Sequence, residues 1–197
     1  MFGIELPDDT ITSLKEASYD DANKMYLVNN LLEVWKVDDY NKIYYNKQRN
    51  SGTTLKGSDA CFECNGILYI IEFKNCPLDS KLSYEVQEKM YDTSIVVMDK
   101  LHLSISEFRD KAKFVLVYSF KKNINKEKTQ QIEQCTSEFS PSLQKIKTNL
   151  RSKGSYKIKD FNKYAFRLRK LEHYLYQEVS AIPDEYFEAY LEQEEIM

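Results

Sequence analysis

Two carboxylates and an amine on neighbouring β-segments define the chemistry this chain is equipped to perform. Asp59, Glu72 and Lys74 fall within residues 58–74, Ser-Asp-Ala-Cys-Phe-Glu-Cys-Asn-Gly-Ile-Leu-Tyr-Ile-Ile-Glu-Phe-Lys. Two acids brought side by side are hard oxygen ligands. They can hold a divalent cation such as Mg²⁺ while leaving positions open for water and phosphate. An ammonium on the same face positions an attacking water or stabilises developing negative charge. The reaction class these residues suit is metal-assisted hydrolysis of a phosphodiester.

The elements that must position them follow from the local pattern. Asn65-Gly66 between two apolar runs predicts a two-residue hairpin with a type I′ turn. Counting from that turn pairs Cys64 with Ile67, Phe62 with Tyr69 and Ala60 with Ile71, and sets Asp59 opposite Glu72. One face then carries Ala60, Phe62, Cys64, Ile67, Tyr69, Ile71 and Phe73, all apolar. The other carries Asp59, Cys61, Glu63, Leu68, Ile70, Glu72 and Lys74, with the three candidate residues at the open end. Paired acids across an antiparallel ladder repel. A cation between them reverses the sign.

Around the hairpin the periodicity predicts a short helix over 8–17 and a longer one over 20–37, with Ala22, Met25, Val28, Leu31, Leu32 and Trp35 at helical spacing. A short strand is expected at 42–45. A helix over 80–100 carries Leu82, Val86, Met90 and Val97 on one side, with Glu85 and Lys89 as an i, i+4 ion pair. Residues 113–118 predict a buried strand, and helices are expected over 129–150, 161–179 and 184–194. The order α-α-β-β-α-β-α-α-α describes an α/β protein with a mixed sheet and packed helices.

Composition bounds the function. With 15 Tyr and 10 Phe but only 5 Gly and 4 Pro in 197 residues, the chain reads as an ordered globule. No apolar run reaches the ~20 residues of a membrane span. The N-terminus shows no secretory leader, which predicts a cytoplasmic location and reduced Cys61, Cys64, Cys76 and Cys135. Cys61-x-x-Cys64 lacks a second pair for zinc, and residues three apart on a strand face opposite ways. Charge is segregated: residues 101–171 hold 17 Lys/Arg against 6 Asp/Glu, a balance of +11, whereas residues 172–197 hold 8 acids and no Lys or Arg. Such a basic block suits a polyanion, unless the acidic tail folds back and neutralises it.

The pattern Ser58-Asp59, hairpin, Glu72-Phe73-Lys74 resembles the core of the PD-(D/E)XK nuclease superfamily, with Ser58 where proline is common. The resemblance implies a restriction endonuclease-like α-β-β-β-α-β core with a mixed central sheet over residues 1–120. Residues 121–197 would be a helical extension packed on that core. It implies a metal-dependent nuclease acting on DNA: Asp59 and Glu72 binding Mg²⁺ or Mn²⁺, Lys74 catalytic, and the Phe73 carbonyl a further ligand. Gln87, with Tyr91 four residues on, is similar to the Gln-x-x-x-Tyr of the recombination-exonuclease branch, and Glu33 to an acid that some branches place on the first helix. Lys111, Lys121, Lys122, Lys157, Lys163, Arg167 and Arg169 would hold the nucleic-acid backbone.

A second class stays open. A catalytically inactive protein of the same fold would serve as a protein-binding module of immunity or assembly type. Its contact to a partner, or to a second copy, would run through the C-terminal helices, where Tyr186, Phe187, Tyr190 and Leu191 suggest an amphipathic docking face.

Overall fold

The computed structural model describes residues 6–45, 54–123 and 166–196. Its elements are β1 (Ile11–Ser13), α1 (Leu14–Ala17), β2 (Tyr19–Asp20), β3 (Met25–Tyr26), β4 (Glu33–Trp35) and α2 (Val37–Tyr40). There follow β5 (Ala60–Cys64), β6 (Ile67–Lys74), α3 (Ser80–Leu101), α4 (Ile105–Lys111), β7 (Ala112–Tyr118) and α5 (Phe120–Asn123). After a 3-10 segment at Phe166–Leu171 come β8 (Glu178–Pro183) and α6 (Phe187–Gln193). The main sheet has six strands in the order β1-β4-β5-β6-β7-β8, antiparallel as far as β6 and parallel beyond it.

The hairpin has the expected register: Cys64 pairs with Ile67, Phe62 with Tyr69 and Ala60 with Ile71. Asn65 and Gly66 both take positive φ, 51° and 77°, as a type I′ turn requires. Its two faces enter two cores. Ala60, Phe62, Tyr69, Ile71 and Phe73 join Leu14 of α1 and Phe187, Tyr190 and Leu191 of α6. Cys61, Leu68 and Ile70 lie beneath Val86, Met90 and Val97 of α3 and Phe108 of α4. Cys61 and Cys64 therefore belong to opposite faces, and both are free thiols.

Strand β7 is buried along both faces, as an inner parallel strand must be. The connection from β6 to β7 runs through α3 and α4, because parallel neighbours need a long crossover. Asp79 caps α3 by accepting the N–H of Leu82 at 2.7 Å, so Asp79-Ser80-Lys81 begins a helix.

Several expectations are corrected. No long helix spans 20–37; β2, β3 and β4 stand there instead. Short polar side chains capture the backbone first: Asp20 Oδ1 accepts the N–H groups of Ala22 and Asn23, and Asn30 Oδ1 that of Leu32. Residues 41–45 form a helical turn after α2 and not a strand, while 11–13 of the first expected helix are a strand. The helix expected over 161–179 is not formed among its described residues, where a 3-10 segment at Phe166–Leu171 is followed by the start of a strand, Glu178–Pro183. Its apolar run Val179-Ser180-Ala181-Ile182 makes the edge strand β8, paired with β7. The expected division at residue 120 thus cuts across one sheet. The helix predicted over 129–150 lies outside the described residues. Among the described residues no helix is long and apolar enough to cross a membrane.

Candidate functional site

The open end of the β5–β6 hairpin carries a closed group of four charges. Carrying the ladder one pair beyond Ala60 and Ile71 sets Asp59 opposite Glu72. Glu72 is fully buried and about a fifth of the Asp59 side chain is exposed. Lys89, reaching down from α3, places its Nζ 3.2 Å from Asp59 Oδ1 and 2.8 and 3.0 Å from the two oxygens of Glu72. Lys74 Nζ stands 2.5 Å from Glu72 Oε1. The cation that two facing acids require is therefore supplied by the chain itself.

The expected i, i+4 ion pair of Glu85 with Lys89 is corrected: Lys89 turns to Asp59 and Glu72, and Glu85 has Lys81 at 3.9 Å instead. The helix itself held the signal. Leu82, Val86, Lys89, Thr93 and Val96 recur at four- and three-residue steps, so Lys89 and Thr93 are polar positions on the apolar stripe. Burial leaves neither without a partner. Thr93 Oγ1 accepts the Ser58 N–H at 2.8 Å and donates to Ser58 Oγ at 3.0 Å, while Asp92 accepts the Lys56 N–H. Successive turns of α3 thus clamp the residues that lead into β5. Gly57 lies so close to α2 that a Cβ would overlap the backbone of Val37 and Asp38.

Phe73 donates its N–H to Asp59 Oδ2 at 2.7 Å. Since N–H and C=O of one residue in an extended strand face the same neighbour, the Phe73 carbonyl is turned to the Asp59 edge as well. Burial first, and the Glu72 charge second, push the Asp59 carboxyl up to about 6, against the opposing pull of Lys89 and Lys74. Burial pulls the Lys89 ammonium down, but Glu72 and Asp59 more than reverse this and hold it well above the usual lysine range.

A cavity of about 460 Å³ opens beside this group. Asp59, Phe73, Lys74, Asn75 and Cys76 form one wall, and β2 with the turn residues Asp21, Ala22 and Asn23, together with Ala17, Ser18 and Leu27, forms the other. Glu72 lies behind that wall. None of the described C-terminal residues lines the cavity.

The remaining candidates separate into those the fold brings to this end and those it does not. Glu33 is exposed on β4; counting from Trp35 opposite Cys61 sets it beside Glu63, four residues and roughly 13 Å from Asp59. It cannot share a cation with Asp59. Gln87 is buried on α3, where its amide faces Ser83 Oγ at 3.5 Å. Lys121 and Lys122 follow β7 at the end where Glu72 and Lys74 lie, whereas Lys111 precedes β7 at the far end. Arg169 is engaged by Glu172 at 3.0 Å. Lys157, Lys163 and the Arg167 side chain lie outside the described residues. The docking face expected on the tail is consumed internally: Tyr186, Phe187, Tyr190 and Leu191 are buried against β6 and β7. Part of the tail's charge is likewise taken up, with Glu178 and Glu194 on Lys113.

The donor set has two carboxylates. Among the described residues, no three His, Cys, Asp or Glu side chains gather around one point. Two acids suffice for Mg²⁺, which keeps several waters and takes further oxygens from a substrate phosphate. Glu72 Oε1 stands 2.5 Å from the Lys74 ammonium and 2.8 Å from that of Lys89, so an ion bound there would take the place of an ammonium. Asp59, Glu72 and the Phe73 carbonyl fit such an ion. Compared with family models, curated proteins and solved structures, the chain matches none of them.

Proposed function

We propose that this protein is a divalent-metal-dependent nuclease of the PD-(D/E)XK type, hydrolysing phosphodiester bonds, in DNA before RNA. One observation carries the reading: acids from two adjacent antiparallel strands share a single cation beside an open cavity, with a second amine on the same strand. The run β4-β5-β6-α3-β7 supplies the strands and crossover such a core needs. The leading helix of that core is replaced by β2 and β3.

When bound, Mg²⁺ or Mn²⁺ would supply charge stabilisation at the phosphoryl oxygens and a water of lowered pKa. Asp59 and Glu72 would hold it, with the Phe73 carbonyl. Lys74, on the cavity wall, neutralises negative charge that develops on a phosphate in the cavity. Lys89 keeps the two carboxylates together before the ion arrives. The raised Asp59 carboxyl sets a limit, because below about pH 6 the proton competes for that ligand.

A specific observation also favours the inactive reading. Glu72 is fully buried and Lys89 already occupies the position between the acids, so the site is electrically complete without a metal. A panel of single-stranded and duplex DNA and RNA, incubated with Mg²⁺ or Mn²⁺, separates the two. The nuclease reading expects metal-dependent cleavage reduced on the order of 10³-fold in Asp59→Asn and at least 10²-fold in Lys74→Ala, with folding intact. Calorimetry without metal binding, together with uncleaved substrates throughout, leaves the binding-module reading in its place.

A further inference from the structure

The β2–β3 hairpin stands apart from the main sheet as a two-stranded unit of its own. Tyr19 and Tyr26 face each other across it, ring centroids 4.9 Å apart and tilted by 50°. They keep 41 and 38 % of their surface exposed, and Met25 beside them keeps 45 %. Aromatic pairs of this kind strengthen a short hairpin, but here each tyrosine still leaves more than a third of its surface to water. Tyr19 lines the cavity together with Asp20, Asp21, Ala22 and Asn23, across from Asp59 and Lys74, and Tyr26 packs on Tyr19 at the rim.

Positive charge accompanies the rings. Lys15 Nζ lies 4.9 Å from the Tyr26 ring centre. Lys122 donates to Asn23 Oδ1 at 2.9 Å and to the Asn75 carbonyl at 2.8 Å, bridging the two walls of the cavity. Acids are near the rings as well: Asp21 lines the cavity and Glu16 accepts from the Tyr26 hydroxyl at 3.4 Å, while the acid next to Tyr19 is engaged. Asp20 accepts from the N–H groups of Ala22 and Asn23 and from the Asn23 amide, so it faces its own turn.

From these features we infer that β2–β3 is a base-stacking arm. Tyr19 and Tyr26 hold an unpaired nucleobase at the mouth of the cavity that carries Asp59 and Lys74, and Lys122 takes the adjoining phosphate. The substrate is then a single-stranded stretch of nucleic acid, because a base inside a duplex has no free face to offer. This identifies the substrate class of the proposed nuclease and rests on that reading for its cleavage arm. The binding arm stands alone.

The test is fluorescence of a 2-aminopurine-labelled single strand with the full-length Asp59→Asn protein, which binds without cutting. Quenching is expected with the single strand and not with its duplex. Weakening by roughly 5- to 100-fold is expected in Tyr19→Ala and Tyr26→Ala, with Tyr19→Phe close to the parent. In the protein with Asp59 intact, the same alanines should raise KM for single strands by about tenfold and leave kcat within twofold. Quenching unchanged in the Tyr19→Ala/Tyr26→Ala double variant overturns the arm, even where cleavage persists. Tyrosine-dependent quenching with no cleavage by the parent overturns the nuclease reading and leaves the arm standing.

Discussion

The two ends of the β5–β6 hairpin are built by different physics. At the closed end, Asn65 and Gly66 adopt the positive φ that a two-residue turn demands, and the ladder follows from them by counting. The turn itself is set locally, and the side chains beside it reach water, although Cys64 also meets the Glu195 carbonyl at 3.9 Å. At the open end, Asp59 and Glu72 meet in a pairing that local rules disfavour. It persists because Lys89, seventeen residues beyond Glu72 on a helix, inserts its ammonium between them. The turn sets which residues face each other; the tertiary fold makes that confrontation tolerable. Here a local conflict is resolved by a contact distant in sequence.

Removing the compensation should break the difference most sharply. Lys89→Met keeps the length and the apolar stem but leaves two carboxylates facing each other. A buried ion pair stripped of one partner costs about 3–5 kcal/mol, so urea unfolding should show a loss of that order. Lys74 remains to shield Glu72, which favours the lower end of the range. If a divalent ion occupies the same position, millimolar Mg²⁺ or Mn²⁺ should restore more stability to Lys89→Met than it adds to the parent. A variant as stable as the parent, and indifferent to metal, would mean that the open end is no more frustrated than the turn.

The second effect is on pH. Asp59 has its folded carboxyl raised to about 6 from an ordinary 3.8. Its protonated form therefore favours the native state. The contribution is fully present below about pH 4 and is lost as pH rises through 6, a change on the order of 3 kcal/mol before any offset from other groups. Asp59→Asn should flatten that limb of the stability curve in calorimetric scans. Divalent-ion binding should follow the opposite course, weakening up to tenfold per unit below about pH 6. Substitutions at Asn65 or Gly66, which carry no ionisable side chain, should leave the shape of both curves unchanged.

A smaller effect tests how the open end is held. Gly57 passes against the backbone of Val37 and Asp38, and Asp38 donates its N–H to the Ser58 carbonyl at 3.3 Å. Gly57→Ala must push the lead-in away from α2, an overpacking cost of about 1–3 kcal/mol. Because Ser58 is pinned to Thr93 on the other side, the displacement should fall on Asp59. Hydrogen exchange of the Phe73 amide, which Asp59 protects, should accelerate more than that of Tyr69 within the ladder.

This division explains what could be read from the residues alone. The turn, the register, the two faces, α3 and β7 all depend on contacts close in sequence or on unbroken periodicity, and those were legible. So was the juxtaposition of Asp59, Glu72 and Lys74, since it is a corollary of the register. Lys89 was legible only as a polar residue on an apolar stripe, because an i, i+4 acid offered a nearer and simpler partner in Glu85. Residues 20–37 misled for the opposite reason. Their apolar spacing is helical, but Asp20 and Asn30 bond to their own backbone and break the helix into β2, β3 and β4. Val179 to Ile182 became a strand only because β7 offered an open edge.

The mildest substitution belongs to the closed end and should leave the open end untouched. Gly66 has φ of 77° and nothing within reach of an added Cβ, so Gly66→Ala meets no steric neighbour. Its cost is confined to holding an L-residue in left-handed backbone, about 1 kcal/mol. Urea midpoints should register that loss with an unchanged slope, since the same surface is exposed on unfolding. Metal affinity and the pH dependence assigned to Asp59 should match the parent, because Lys89 and Thr93 hold the acids independently of the turn. If instead Gly66→Ala weakened metal binding as much as Gly57→Ala does, the register at the open end would depend on the turn after all. The clamp from α3 would then be secondary.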